Sequence, residues 1–148
     1  MSTRSRRDDP RIGAWRAFLR AHAQVVRQLE RELQEEQGMA LTDYDVLVQL
    51  ARSDKRRLRM SELADRLLLS RSGATRLVDR LVADGLVERV SCDDDRRGQW
   101  AALTEAGLRR LREAAPTHLR GVQTHFLDRL SADELVRLEE MLDPIAES

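Results

Sequence analysis

Apolar residues recur along much of this chain at the three-and-four spacing of helices that bury one face. Pro10 opens the longest such run, which extends to about Gln37. Ile12, Trp15, Leu19, His22, Val26, Leu29 and Leu33 advance by alternating steps of three and four, an a/d seam with His22 at one d position. Phe18 and Val25 widen that face, and Gly38 closes the helix. Thr42 reads as the N-cap of a second helix, with Asp43 and Asp45 in its first turn and Tyr44, Leu47, Leu50 and Ala51 as its buried stripe. Arg52 to Arg57 is an exposed loop, and Leu58-Arg59-Met60 is one extended segment adding an edge to a sheet.

From Ser61 to Thr104 the pattern changes twice. Leu63, Ala64 and Leu67 give a short helix one apolar face. Ser70 then caps a second helix whose stripe is Ala74, Leu77, Val78 and Leu81, and Gly85 stops it. The other face of that helix carries Arg71, Ser72, Thr75, Arg76 and Arg80, which suit phosphates and base edges. Two helices joined by Leu68 to Ser70 fit a helix-turn-helix. Leu86 to Val90 reads as a strand, Cys92 to Gly98 as a polar turn, and Gln99 to Leu103 as the returning strand of a β-hairpin wing. Three solvated helices with a charged loop is the plainer alternative.

After the wing, Thr104-Glu105 begins another long helix with Leu108, Leu111, Ala115, Leu119, Val122 and Phe126 along one stripe; Pro116 within it must kink or break it. Ser131 to Glu134 is a capping box that starts a last helix, which buries Leu135, Leu138, Met141 and Leu142 and ends at Pro144. Apolar helices at both ends thus flank a central lobe. Either they interlock with a second copy of the chain, or they form a bundle within one copy.

The run SRSGATRLVDRLVADGLVER, followed by Asp95-Arg96-Arg97-Gly98 and Leu103-Thr104, resembles the DNA-binding lobe of the multiple antibiotic resistance regulator (MarR) family. The wing signature of that family is Asp-x-Arg, an apolar position, then Leu-Thr. Asp95, Arg97, Ala101, Leu103 and Thr104 occupy those places, with Ala101 smaller than the usual Val. The helical flanks agree in length and order only. The resemblance implies a mainly α fold with a small β-hairpin wing: a winged helix-turn-helix DNA-binding lobe over residues 42–103, and a helical dimerisation region formed by residues 10–41 with 104–148. Residues 1–9 are a polar arm; Arg4, Arg6 and Arg7 either touch DNA or only solubilise it.

Composition sharpens this picture. Charged residues make up 35% and aromatics 3%, as in an Arg/Glu-laced helical protein. No apolar run is long enough to span a membrane, the N-terminus lacks the apolar core of a signal peptide, and a lone cysteine suits a reducing cytoplasm. The formal net charge is zero, but it is unevenly spread. Lys55 to Arg97 holds eleven Lys/Arg against eight Asp/Glu, a balance of +3, whereas Ser131 to Ser148 holds one Arg against six acids, a balance of −5. Of the 26 basic residues only Lys55 is lysine; arginine suits bidentate phosphate and guanine contacts, though a codon bias gives the same excess.

The expected partner is double-stranded DNA, read as a pseudo-palindrome by a homodimer in the cytoplasm. Ser70, Ser72 and the helix N-terminus are expected on phosphates, and Arg71, Thr75 and Arg76 on base edges. The family resemblance implies that Arg97 enters the minor groove with Asp95 orienting it; Arg96 is expected on phosphate. It also implies release by a small aromatic or phenolic effector, for which Trp15, His22 and Tyr44 are candidate lining residues, their alternative role being to fill the core or the dimer seam. Asp79 and Asp84 read as structural. No cofactor or metal is expected: His22, His118 and His125 are far apart, without a Cys-x-x-Cys or His-Glu-x-x-His motif. The acids beside Cys92 should raise its pKa, which argues against redox sensing. No phosphate loop, nucleophile elbow or Ser/His/Asp set supports an enzyme. A winged helix used only for protein contacts is the rival reading.

Overall fold

The computed structural model describes residues 9–91 and 98–148. In chain order the elements are α1 (Pro10–Gln37), α2 (Leu41–Ala51), β1 (Arg57–Arg59), α3 (Met60–Arg66), α4 (Arg71–Ala83), β2 (Val87–Ser91), β3 (Gln99–Leu103), α5 (Glu105–His125) and α6 (Ala132–Ala146). Single 3-10 turns lie at Asp54–Arg56 and Leu127–Arg129. The chain divides into two compact units: Leu33–Thr117, and Met1–Glu32 with His118–Ser148.

The central unit, Leu33–Thr117, closes on its own core. Leu33, Val46, Leu47, Leu50, Leu63, Val78, Leu81 and Ala101 are all fully buried. Its sheet is antiparallel in the order β1-β3-β2; Arg59 faces Trp100 across β1–β3, and Val87 faces Leu103 across β2–β3. The Leu-Thr that ends β3 is stitched to the end of α4. Thr104 donates its hydroxyl to the Gly85 carbonyl at 2.7 Å and accepts from the Gly107 amide at 2.9 Å. A Cβ on Gly107 would lie 2.1 Å from the Leu86 carbonyl oxygen, so only glycine lets α5 start this close to the wing.

Three expectations about helix ends need correction. α2 is capped by Ala40 without a side-chain bond, not by Thr42; burial of Met39 and Leu41 sets its start earlier. Pro116 does not break α5, and α6 runs past Pro144 to Ala146. Proline's fixed φ is helical, so an interior proline can remain in the helix at the loss of one backbone bond, and Pro116 lies at an exposed position. By contrast, the capping box at Ser131 is present in full: Ser131 accepts from the Glu134 amide at 3.2 Å, and Glu134 from the Ser131 amide at 3.0 Å.

In the terminal unit, Gly121 admits Leu29, whose Cδ2 would sit 2.7 Å from a Cβ there, and His125 Nε2 meets Glu32 Oε1 at 2.5 Å. Beyond these contacts the unit stays open. α6 buries no residue, so the expected burial of Leu135, Leu138, Met141 and Leu142 is not met within one copy; Met141 is 62% exposed. No helix among the described residues is long and apolar enough to cross a membrane.

Candidate nucleic-acid interface

Helix α4 supplies the central element. Its N-cap is Ser70, whose Oγ accepts from the Gly73 amide at 3.0 Å and lies 3.2 Å from Ser72 Oγ. The cap satisfies the Gly73 amide, and the earlier amides of the first turn, at Arg71 and Ser72, point out of the helix end, the arrangement that favours anions. Ala74, Leu77, Val78 and Leu81 are buried, which turns Arg71, Ser72, Thr75 and Arg76 outward, all of them exposed. Before the cap, Leu68 takes φ +54° and is 93% exposed, a left-handed position at the turn between α3 and α4 where glycine is the easier choice.

The arginines on and around this helix divide into two groups. Arg80 is bound to Asp43, which raises its pKa further, and Arg89 bridges Asp79 and the Gln99 side chain, both at 2.6 Å. Arg80, expected on the outward face, is therefore engaged with α2 and joins the scaffold. Asp79, expected to be structural, is the carboxylate that Arg89 meets. Arg71 and Arg76 have no carboxylate partner among the described residues; Arg76 Nε reaches only its own helix, at the Ser72 carbonyl 3.4 Å away.

Around the N-terminal end of α4, Arg59, Ser61, Arg71, Thr75 and Gln99 line a polar groove of about 300 Å³. Beside it, the guanidinium carbons of Arg57 and Arg59 lie 4.7 and 5.1 Å from the centre of the Trp100 ring. Residue types alone did not single out Arg57, Arg59 or Trp100. The available signal was the alternation Arg-Leu-Arg in a short strand, which puts both arginines on the face opposite Leu58. Cys92, Asp95, Arg96 and Arg97 lie outside the described residues.

The candidate effector residues are not all brought together. Trp15 and His22 line an apolar cavity of about 990 Å³ in the terminal unit, with Phe18, Val26, Met141 and Ile145 among its walls. Tyr44 is not part of that lining; it is buried in the central unit, and burial pushes its phenol up. Burial likewise pulls His118 down. No group of three or more His, Cys, Asp or Glu among the described residues could hold a metal ion.

This architecture is shared with solved proteins. AbsC, a MarR family transcriptional regulator from Streptomyces coelicolor, is 40% identical and superposes with a TM-score of 0.86 over 94% of this chain and 93% of its own. This chain belongs to the MarR family. The MarR family model matches residues 37–98, the stretch from the end of α1 to the wing. Sco3205, a MarR family regulator from the same organism solved in complex with DNA, is also 40% identical, with a TM-score of 0.84 over 90% of this MarR-family chain and 84% of its own. A mutant MarR from Escherichia coli, complexed with operator DNA, is 25% identical with a TM-score of 0.79, covering 90% of this chain and 94% of its own. The transcriptional repressor MprA of Escherichia coli is 39% identical over 80 residues, 54% of this chain but 46% of MprA, so less than half of that curated relative is matched. The mostly helical winged fold expected from the sequence is the fold found, in a family of transcriptional regulators rather than enzymes.

Proposed function

We propose that this MarR-family chain acts as a homodimeric repressor in the cytoplasm, binding a pseudo-palindromic DNA operator through the central unit. The observation that carries the reading is the division among the arginines. Arg80 and Arg89 are committed to Asp43 and Asp79, while Arg71 and Arg76 stand exposed beside Ser72 and Thr75 without a carboxylate among the described residues. Guanidinium groups held this way suit phosphate and guanine. Arg76 and Thr75 then read base edges with Arg71, and Ser70 and Ser72 hold phosphate. In the wing turn, Arg97 and Asp95 keep the roles the family resemblance gives them, with Arg97 in the minor groove and Asp95 orienting it, and Arg96 meets phosphate. Support comes also from relatives: Sco3205 and the Escherichia coli MarR were solved on DNA, and MprA is named a transcriptional repressor.

Dimerisation through the terminal unit belongs to the same reading. Trp15, Phe18, Leu19, Leu119, Val136, Met141 and Ile145 are between 44% and 71% exposed, more large apolar surface than an isolated helical unit ordinarily shows to water. A second copy would cover it and place two α4 helices about 34–36 Å apart, one turn of DNA. Release by a small aromatic or phenolic effector requires that the effector favour one conformer of the dimer, with Trp15 and His22 as the candidate contacts.

The test is a gel-shift titration with the DNA upstream of the gene for this chain, repeated across salt, together with light scattering of the free protein. A dimer with steeply salt-dependent binding is expected, because neutralised phosphates release counterions. A monomer at micromolar concentration, or no binding to any promoter fragment in dilute buffer, would overturn the reading.

A further inference from the structure

We propose that Leu68, at the turn between α3 and α4, lays its side chain on a deoxyribose of the DNA backbone beside α4, the helix proposed to read base edges. The proposal rests on the DNA-binding reading above and adds an apolar contact to an interface so far made of cations and hydroxyls.

The helix α3 ends in a pair of backbone bonds. The Leu68 amide donates to the Asp65 carbonyl at 3.2 Å, and the Leu69 amide donates to the Ala64 carbonyl at 2.9 Å. This ending needs a left-handed residue just past the helix, a place that favours glycine. The end of α4 repeats the pair: Gly85 donates to Val82 and Leu86 to Leu81, both at 3.0 Å. There the left-handed residue is Gly85, at φ +75°, and past α1 it is Gly38, at φ +61°. The turn into α4 instead holds Leu68, at φ +54°, where its Cβ crowds the following carbonyl.

Packing within the chain does not offset that strain. Leu68 is 93% exposed, while Leu67 and Leu69 on either side are half-buried. It is the most exposed large apolar side chain among the described residues, and it belongs to the unit that otherwise closes on its own core. A side chain that neither suits its backbone nor touches its own fold is set for a surface outside the chain. Its place says which surface. Leu68 stands two residues before Ser70, a span of at most about 7 Å. A phosphate held at Ser70 and Ser72 would therefore have Leu68 beside the next sugar on the same strand. Deoxyriboses alternate with phosphates along the backbone and present C–H faces, which an apolar side chain can cover. The exposed Arg71 and Ser72 then meet phosphate or base, and the leucine meets sugar.

The experiment uses the full chain, a duplex from upstream of its own gene and an unrelated duplex of equal length, each titrated across a salt series. Leu68→Gly relieves the strain and removes the side chain. Its melting temperature should hold or rise, while affinity for both duplexes falls about fivefold, as for one leucine partly buried on binding. The slope of log affinity against log salt should stay at the wild-type value, because a sugar contact releases no counterion. Leu68→Ala keeps a Cβ in the turn and should lose as much affinity as Leu68→Gly. Leu68→Met keeps the apolar reach and should bind within about twofold of wild type. The proposal is overturned if the Gly and Ala variants bind both duplexes like wild type, or if only the Gly variant weakens, since the loss then belongs to a loosened turn. A slope that falls with affinity overturns it too, as does a melting temperature lowered by Leu68→Gly, which would mean that the side chain packs within the fold. Wild-type protein that ignores both duplexes at every salt concentration would instead overturn the DNA-binding reading on which the proposal rests.

Discussion

The two units solve the problem of burial in different ways. The central unit, Leu33–Thr117, spends its apolar residues on itself: Leu33, Leu47, Leu50, Leu63 and Leu81 have no exposed surface. The terminal unit keeps Met141 and Ile145 at 62% and 71% exposure and lines a cavity of about 990 Å³ with such side chains. Both are built of amphipathic helices, so periodicity does not separate them. The difference is in what their stripes meet. The stripes of α2, α3 and α4 converge on one another and on a small sheet, whereas the face of α6 lacks enough surface in one copy to close against. A closed core keeps its shape by itself, and the open face is the surface that the proposed dimer would cover.

The sharpest way to break this contrast is to charge the open face. Met141→Asp with Ile145→Asp should turn the dimer into a monomer and reduce operator binding by more than about 100-fold, because an interface cannot readily bury unpaired carboxylates. Light scattering and gel shifts check it; a dimer that survives the double change would mean the second copy docks elsewhere. Truncation should then separate the units. Leu47→Ala in the closed core should cost about 2–5 kcal/mol, seen as a lower melting temperature that does not vary with protein concentration. Ile145→Ala should act instead on a concentration-dependent transition.

Removing single DNA contacts should cost less. Arg76→Ala, and Arg97→Ala at the wing tip, should each weaken operator binding about tenfold, or 1–3 kcal/mol, with folding unchanged. Unaltered titration curves would remove those residues from the interface. Caps probe the two units with matched chemistry: Ser70→Ala in the central unit and Ser131→Ala in the terminal one should each cost about 1 kcal/mol in thermal melts. A Ser131 effect near zero would show that α6 owes its stability to the partner copy rather than to its cap.

The smallest effect concerns pH. Burial holds the folded-state pKa of His118 below its unfolded value, so below about pH 6.5 the unfolded chain takes up the proton more readily than the folded one. The contribution of His118 is therefore complete above that pH and is lost as pH falls toward the depressed folded value. His118→Gln should flatten this part of the profile of melting temperature against pH. An unchanged profile would assign the slope to other groups.

Much of this molecule was legible from residue spacing, and the reasons are local. Ser70 caps α4 because a serine oxygen reaches the amide three residues on, and Ala74, Leu77, Val78 and Leu81 face inward because 3.6 residues make a turn. The Ser131 box follows from the same short-range chemistry. What spacing left open was decided at a distance. Thr42 lost the cap of α2 to a start set by the burial of Met39 and Leu41. Pro116 and Pro144 stayed inside helices that tolerate one missing bond. Arg80 stays exposed but is tied to Asp43, a residue 37 positions away. Tyr44 parted from Trp15 and His22 because its stripe closes the central core. The stack of Arg57 and Arg59 on Trp100 needs the β1–β3 register, which joins segments some forty residues apart. Elements and their faces depend on neighbours a turn away, and one sequence holds that information. Which charged and aromatic groups meet depends on the packing of those elements, and only the tertiary structure decides it.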